Sequence, residues 1–269
     1  MLMKNTKGKK EMLFDTHAHL DDKKYDSDRA EVIDYIKKEG VSLLVNVGAD
    51  MESSETTLQL AKEYDFIYAA VGVHPYDEPD LTEADIARLR EMAKDEKVVA
   101  IGEIGLDYHY ENTDREGQKR GFKMQLELAK ELKMPVIIHD RDAHKDTMDI
   151  LRACNVRDCG GVFHCYAGSV EMAKEILDWG MYIAFGGSLT FKKSVKPKEV
   201  AQYVPLDRLV TETDAPYLAP EPQRGRRNDS RYMHFVAELI AQLKGVSYEE
   251  VARASYENGK KLFGIKEEA

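Results

Sequence analysis

M-L-F-D-T-H-A-H-L, residues 12–20, is an apolar run that ends in two histidines one residue apart. On an extended backbone, residues two apart face the same side, so a strand over Met12–His17 aims His17 and His19 together from its C-terminal end. The same construction recurs along the chain. Apolar runs at Val98–Glu103, Pro135–His139 and Gly161–His164 each close on an ionisable residue, and Arg208–Thr213 runs straight into Asp214. Runs of the same kind lie at Ser42–Val47, Ile67–Val73 and Met181–Phe185, the second followed at once by His74.

Between these runs the pattern changes to helical. Amphipathic stretches are expected at Ser27–Glu39, Ser53–Tyr64, Glu83–Ala93, Glu116–Leu132, Ala143–Ala153, Val170–Trp179 and Pro197–Tyr203, with two more at Ser230–Leu243 and Tyr248–Phe263. In the fourth, Phe122, Leu126, Ala129 and Leu132 recur at three- and four-residue steps, while Lys119, Lys123, Glu127 and Lys130 take other faces. Eight continuous β-branched runs alternating with helices, without a linker or low-complexity break, predict one closed (β/α)8 TIM barrel of the α/β class. Closure also explains the polar strand ends. In a parallel barrel they share one rim, whereas an open sheet would spread them along an edge. The barrel domain is expected over 12–265, with 1–11 a short basic extension and Met12 an alternative start.

The 269 residues, 43% of them hydrophobic, suffice for such a barrel. A net charge of −10 argues against a protein held to duplex DNA by bulk electrostatics, though not against nucleic acid as a substrate. Cys154, Cys159 and Cys165 form no even disulfide set and read as reduced thiols, so the cytoplasm is the expected compartment. No apolar run has the roughly 18 residues of a membrane helix, and the N-terminus lacks a secretory apolar stretch. No protein partner is predicted.

Taken singly, a histidine at a strand end reads as a hydrogen-bonded structural residue. Together, His17, His19, Glu103, His139, His164 and Asp214 are six ionisable groups gathered on one apolar barrel, and burying them without a cation would be very costly. Four imidazoles and two carboxylates can hold two divalent cations side by side, a device for hydrolysing esters and phosphate diesters. Mg2+, Mn2+ and Zn2+ all remain open for such a ligand set.

The segments D-T-H-A-H-L, G-V-H-P-Y, G-E-I-G-L-D-Y, P-V-I-I-H-D-R-D-A, F-H-C-Y-A-G-S, F-G-G-S-L-T-F-K, E-T-D-A-P-Y-L and R-G-R-R-N resemble, in order, the motifs of the TatD family of metal-dependent hydrolases. The likeness runs from about Met12 to Ile265. It implies an amidohydrolase-superfamily barrel with metal-dependent DNase or exonuclease activity, its metal ligands falling on the same six residues. His17 and His19 are then expected to hold one cation with Asp214, and His139 and His164 the other. Glu103 lies between as a bridge, where many superfamily relatives use a modified lysine.

Further residues carry expectations of their own. Asp214 is the expected proton acceptor and Glu103 the second catalytic carboxylate. His74 and Arg141 are expected to contact substrate phosphate, the alternative for Arg141 being an ion pair with Asp140 or Asp142. Asp15 and Glu212, two residues before a ligand, are read as orienting metal-bound imidazoles, with a plain buried hydrogen-bonding role as the alternative. His109, His144 and His234 read as surface or packing residues. Lys192, Lys193, Lys196, Lys198, Arg224, Arg226 and Arg227 form basic loops after the seventh and eighth strands, either solvated or tracking phosphates. The expected reaction is phosphodiester cleavage at the 3′ end of a nucleic acid, single-stranded DNA before RNA. A small-molecule amidohydrolase or lactonase is the alternative, and a non-enzymatic metal-binding module is disfavoured by the bridging carboxylate.

Overall fold

Eight parallel strands, each neighbouring the next in chain order, make up the sheet of the computed structural model, which describes residues 12–77 and 80–266. They are β1 Leu13–Ala18, β2 Val41–Val47, β3 Ile67–Val71, β4 Val98–Asp107, β5 Val136–Arg141, β6 Gly161–Phe163, β7 Tyr182–Phe185 and β8 Leu209–Thr211. The segment after β8 completes the circle. Asp214 N donates to His17 O at 2.9 Å, His19 N donates to Ala215 O at 2.7 Å, and Ala18 bridges to Ala215 in parallel register. The helices are α1 Arg29–Lys38, α2 Met51–Glu63, α3 Glu83–Met92, α4 Arg115–Leu132, α5 His144–Ala153, α6 Val170–Asp178, α7 Val195–Tyr203, α8 Met233–Lys244 and α9 Tyr248–Phe263. The chain is a (β/α)8 TIM barrel, as its pattern of runs predicts. The expected extension over 1–11 lies outside the described residues.

Alternation along the strands divides the apolar side chains in two. One set, including Leu44, Ile67, Ile101 and Ile138, packs outward against the helices. The other fills the barrel with Phe14, Val45, Ala70, Ala100, Ile137, Val162, Ala184 and Val210. Leu262, Phe263 and Ile265, at and just beyond the end of α9, join this inner cluster, with the Phe263 and Phe14 rings 5.9 Å apart. α9 begins on a capping box between Ser247 and Glu250 and stops at Gly264, whose φ of 65° is the left-handed value that ends helices.

β4 is the main departure from the sequence reading. The apolar pattern ends it at Glu103, whereas the strand continues to Asp107. The extension is possible because Gly105, at φ 150°, lets β4 pass close to β5; a Cβ there would lie 1.9 Å from His139 O. Two glutamines of α4 then fix the backbone above. The Gln118 amide brackets Asp107, donating to its O at 3.1 Å and accepting from its N at 2.9 Å. The Gln125 amide does the same at Val73, at 2.9 and 2.8 Å, just before His74.

Candidate metal centre

All six expected ligands meet at the C-terminal rim of the barrel. His17 and His19 leave β1 on one side, and their Nε2 atoms lie 3.1 Å apart. Asp214 reaches the same point from the turn after β8, in the left-handed conformation at φ 57°, which aspartate tolerates better than most residues. Its Oδ1 lies 3.8 Å from His17 Nε2 and 3.4 Å from His19 Nε2. The donor atoms of these three residues are within 4.8 Å of one another.

Glu103 is buried between this trio and a second one. Its Oε2 faces His17 Nε2 at 3.4 Å and His19 Nε2 at 3.7 Å. Its Oε1 faces His139 Nδ1 at 2.6 Å and His164 Nε2 at 3.3 Å. One carboxylate thus offers a different oxygen to each set of imidazoles. The sets are also in contact, the His17 and His164 rings stacking with centres 3.9 Å apart.

Two of the imidazoles are hydrogen-bonded from behind, and a third has a carboxylate there. His19 Nδ1 pairs with the Val47 carbonyl oxygen at 2.7 Å, which leaves the Nε2 lone pair for the cluster. His139 Nε2 meets Asp107 Oδ2 at 2.9 Å, opposite the nitrogen that faces Glu103. His164 Nδ1 lies 3.2 Å from Glu212 Oε1, short of hydrogen-bond geometry, while that same oxygen accepts from Cys165 N at 2.6 Å. Glu212 therefore stands behind an imidazole as expected. Asp15 does not. It accepts from Ser230 Oγ and Thr213 Oγ1, both at 2.6 Å, and from the backbone of Thr213 and His17, tying β1 to the segments after β8. Too deep to reach a ring, it has the plain buried role.

Electrostatics follow from this crowding. Burial alone would raise the Glu103 carboxyl, yet His164, His139 and His17 together hold it well below the usual range. Burial likewise opposes charge on His19, but Asp214, Glu103 and Asp21 push it up to about 10. Burial is again outweighed at His139, where Glu103 and Asp107 push it up to about 10. Burial is outweighed at His164 too, where Glu212 and Glu103 push the ring up to about 9, whereas burial and the neighbouring His164 push His17 down. The donors are imidazole nitrogen and carboxylate oxygen only, and the buried Nδ1 atoms of His17 and His164 have no hydrogen bond among the described residues. Such a set fits divalent cations.

Five of the six, His19, Glu103, His139, His164 and Asp214, floor a cavity of about 740 Å³ that also reaches His74 and Arg141, while His17 lies buried beneath. The His74 ring stands 4.5 Å from that of His139, and burial with the nearby His139 pushes it down to about 3. Its Nδ1 accepts from Tyr76 N at 3.3 Å, so the proton of the neutral ring sits on Nε2. Arg141 pairs with neither expected alternative partner: Asp140 meets His144 at 2.7 Å and Asp142 meets His109 at 3.0 Å. His234 caps the Arg231 carbonyl at 2.7 Å, a packing role as expected.

The basic loops fare differently. Arg227 makes a two-pronged ion pair with Asp28, at 2.8 and 2.6 Å, and donates to Lys24 O, so its guanidinium is engaged in clamping the two loops together. Lys198 is tied to Phe191 O at 2.9 Å, and Arg224 lies over the Phe191 ring at 4.0 Å. Lys192, Lys193, Lys196 and Arg226 remain exposed, but none lines the cavity. Five carboxylates, Asp21, Asp22, Asp50, Glu52 and Asp77, do line it, and no motif points to them. Sequence reasoning also misses Asp107. Its signal is its place in G-E-I-G-L-D-Y, four residues past Glu103, and that reads as a loop unless β4 is known to continue.

The model of TatD related DNases matches residues 14–264. An uncharacterized metal-dependent hydrolase of Bacillus subtilis, YabD, is 49% identical over 94% of this chain and 100% of its own length. A 3′-5′ ssDNA/RNA exonuclease TatD of Cronobacter sakazakii is 33% identical over 93% of this chain and 97% of its own. Among solved structures, YjjV, a TatD homologue from Escherichia coli, superposes with a TM-score of 0.88 at 29% identity, covering 94% of this chain and 98% of its own. With the barrel, the convergent imidazoles and the family match in agreement, the chain belongs to the TatD family of metal-dependent hydrolases.

Proposed function

We propose that the protein is a phosphodiesterase that removes nucleotides from the 3′ end of single-stranded nucleic acid, DNA in preference to RNA. His17, His19 and Asp214 would hold one divalent cation, His139 and His164 a second, and Glu103 both. The observation that carries this reading is the division of Glu103, with Oε2 toward one trio and Oε1 toward the other pair. When bound, such a pair supplies water acidified toward neutral pH and positive charge for the phosphoryl oxygens.

The chain's own groups do the rest. Asp214 accepts a proton from the attacking water at its carboxylate. His74 donates Nε2–H to a phosphoryl oxygen, and Arg141 meets the adjoining phosphate with a guanidinium that pairs with no carboxylate among the described residues. Val47 O and Asp107 keep the rings of His19 and His139 from turning, and the Glu212 carboxylate stands behind that of His164. A cavity of about 740 Å³ suits a terminal nucleotide or a frayed end better than a rigid duplex. The name of the Cronobacter sakazakii relative agrees with this substrate class.

One observation favours the second reading, a small-molecule amidohydrolase or lactonase. The five carboxylates at the mouth repel a polyanion running over the loops after β1, β2 and β3. The deciding experiment is turnover by protein reconstituted with Mg2+, Mn2+ or Zn2+ on end-labelled single-stranded DNA, duplex DNA, RNA and small esters or lactones. Stepwise loss from the 3′ end of single strands is the expected result. Turnover confined to small esters or lactones would replace the first reading with the second.

A further inference from the structure

Three tyrosine rings stand open at the mouth of the cavity. Tyr76, Tyr110 and Tyr217 are 43%, 58% and 42% exposed. They are not equivalent. The Tyr217 hydroxyl donates to Asp22 Oδ2, and Lys24 Nζ lies 3.8 Å from its ring centre, so one face is already covered. Tyr76 and Tyr110, on the loops after β3 and β4, lean on each other instead, with ring centres 5.5 Å apart and planes inclined at 49°.

Both rings are held from behind. Tyr76 packs on the His74 ring at 4.9 Å. Tyr110 packs on the His109 ring at 5.2 Å. These ring contacts favour an arrangement in which the pair already stands side by side at the mouth, which lowers the ordering entropy that binding on it must overcome. Arg141, at the end of β5, lines the same cavity, and its guanidinium has no hydrogen bond or ion pair among the described residues. The five mouth carboxylates follow β1, β2 and β3, with Asp77 next to Tyr76, and Arg141 offers a phosphate a cation from the β5 side of the cavity.

We propose that Tyr76 and Tyr110 form a stacking platform for the terminal nucleobases of a single strand, with Arg141 on the phosphate between them. This rests on the nucleic-acid reading above. Every base has a π-face, so such a platform grips a strand end without reading its sequence. It also explains why two apolar rings are left open beside a polar metal centre, since a small aliphatic ester would make no use of them.

The test compares a single-stranded oligonucleotide with the same oligomer carrying abasic sugars at its three terminal 3′ positions. The quantity read is the ratio of kcat/KM for the two. Tyr110→Ala is expected to lower the wild-type ratio about tenfold, mainly through KM, and Tyr110→Phe to retain it. Tyr110→Leu, which keeps apolar bulk but no π-face, is expected to behave like Tyr110→Ala and serves if the alanine variant is poorly folded. An unchanged ratio in Tyr110→Ala, with the intact oligomer still turned over, overturns the platform alone. No wild-type turnover of any oligomer overturns the nucleic-acid reading, and the platform falls with it.

Discussion

Asp214 and Asp107 show how position decides the work of a carboxylate. Asp214 faces two imidazoles from the turn after β8, whereas Asp107 is buried behind one. Asp214→Asn is expected to leave much of the metal bound, because an amide oxygen still coordinates weakly, and to cut turnover about 10²–10⁴-fold by removing the proton acceptor. The check is a pH–rate profile beside metal content; an unaltered acid limb would take Asp214 out of the proton transfer. Asp107→Asn alters neither the metal ligands nor the cavity volume. By loosening the His139 ring it is expected to weaken metal affinity about 10–100-fold, read by competition with a chelator. Wild-type affinity in that variant would mean Val136–Arg141 holds the ring by packing alone. The contrast with Asp15 marks the limit of reading residues by spacing. Both Asp15 and Glu212 precede a ligand by two residues, yet only Glu212 comes within reach of an imidazole.

Among the elements, strands and helices were legible because their signals are periodic. Each of the eight apolar runs became a strand, and helices formed over all nine amphipathic stretches. What the pattern does not carry is interaction between elements. The continuation of β4 past Glu103 depends on Gly105 passing the His139 carbonyl, and the Gln118 and Gln125 clamps of α4 bond to backbone, which has no residue signature. The basic loops after β7 and β8 divide for the same reason, since no spacing says that Arg227 meets Asp28. Their exposed members are still testable. Lys192→Ser, Lys193→Ser and Arg226→Ser together are expected to lower the log–log salt slope of oligonucleotide binding by about 0.7 for each phosphate these side chains neutralise. An unchanged slope would make them solvated loops. Where β1 meets α9, Phe14→Ala empties the space shared with Phe263 and is expected to cost about 3–5 kcal/mol, measured by denaturant unfolding. A cost below about 1 kcal/mol would mean that the barrel floor collapses to fill the gap.

At the scale of the whole molecule, closure of the barrel is what turns residues scattered from His17 to Asp214 into one site. The six candidate ligands could be picked out beforehand because an ionisable group ending an apolar strand is expensive to bury, and parallel closure allows them only one meeting place. The acidic mouth could not, because loops carry no periodic constraint. The account stands or falls on Glu103 joining two cation sites. The most direct measurement is metal stoichiometry by elemental analysis, paired with turnover of a single-stranded oligonucleotide, for the wild type and for Glu103→Ala. Two cations per wild-type chain are expected, with both sites weakened together and turnover abolished in the variant. A Glu103→Ala protein that kept two cations and a near-normal rate would contradict it.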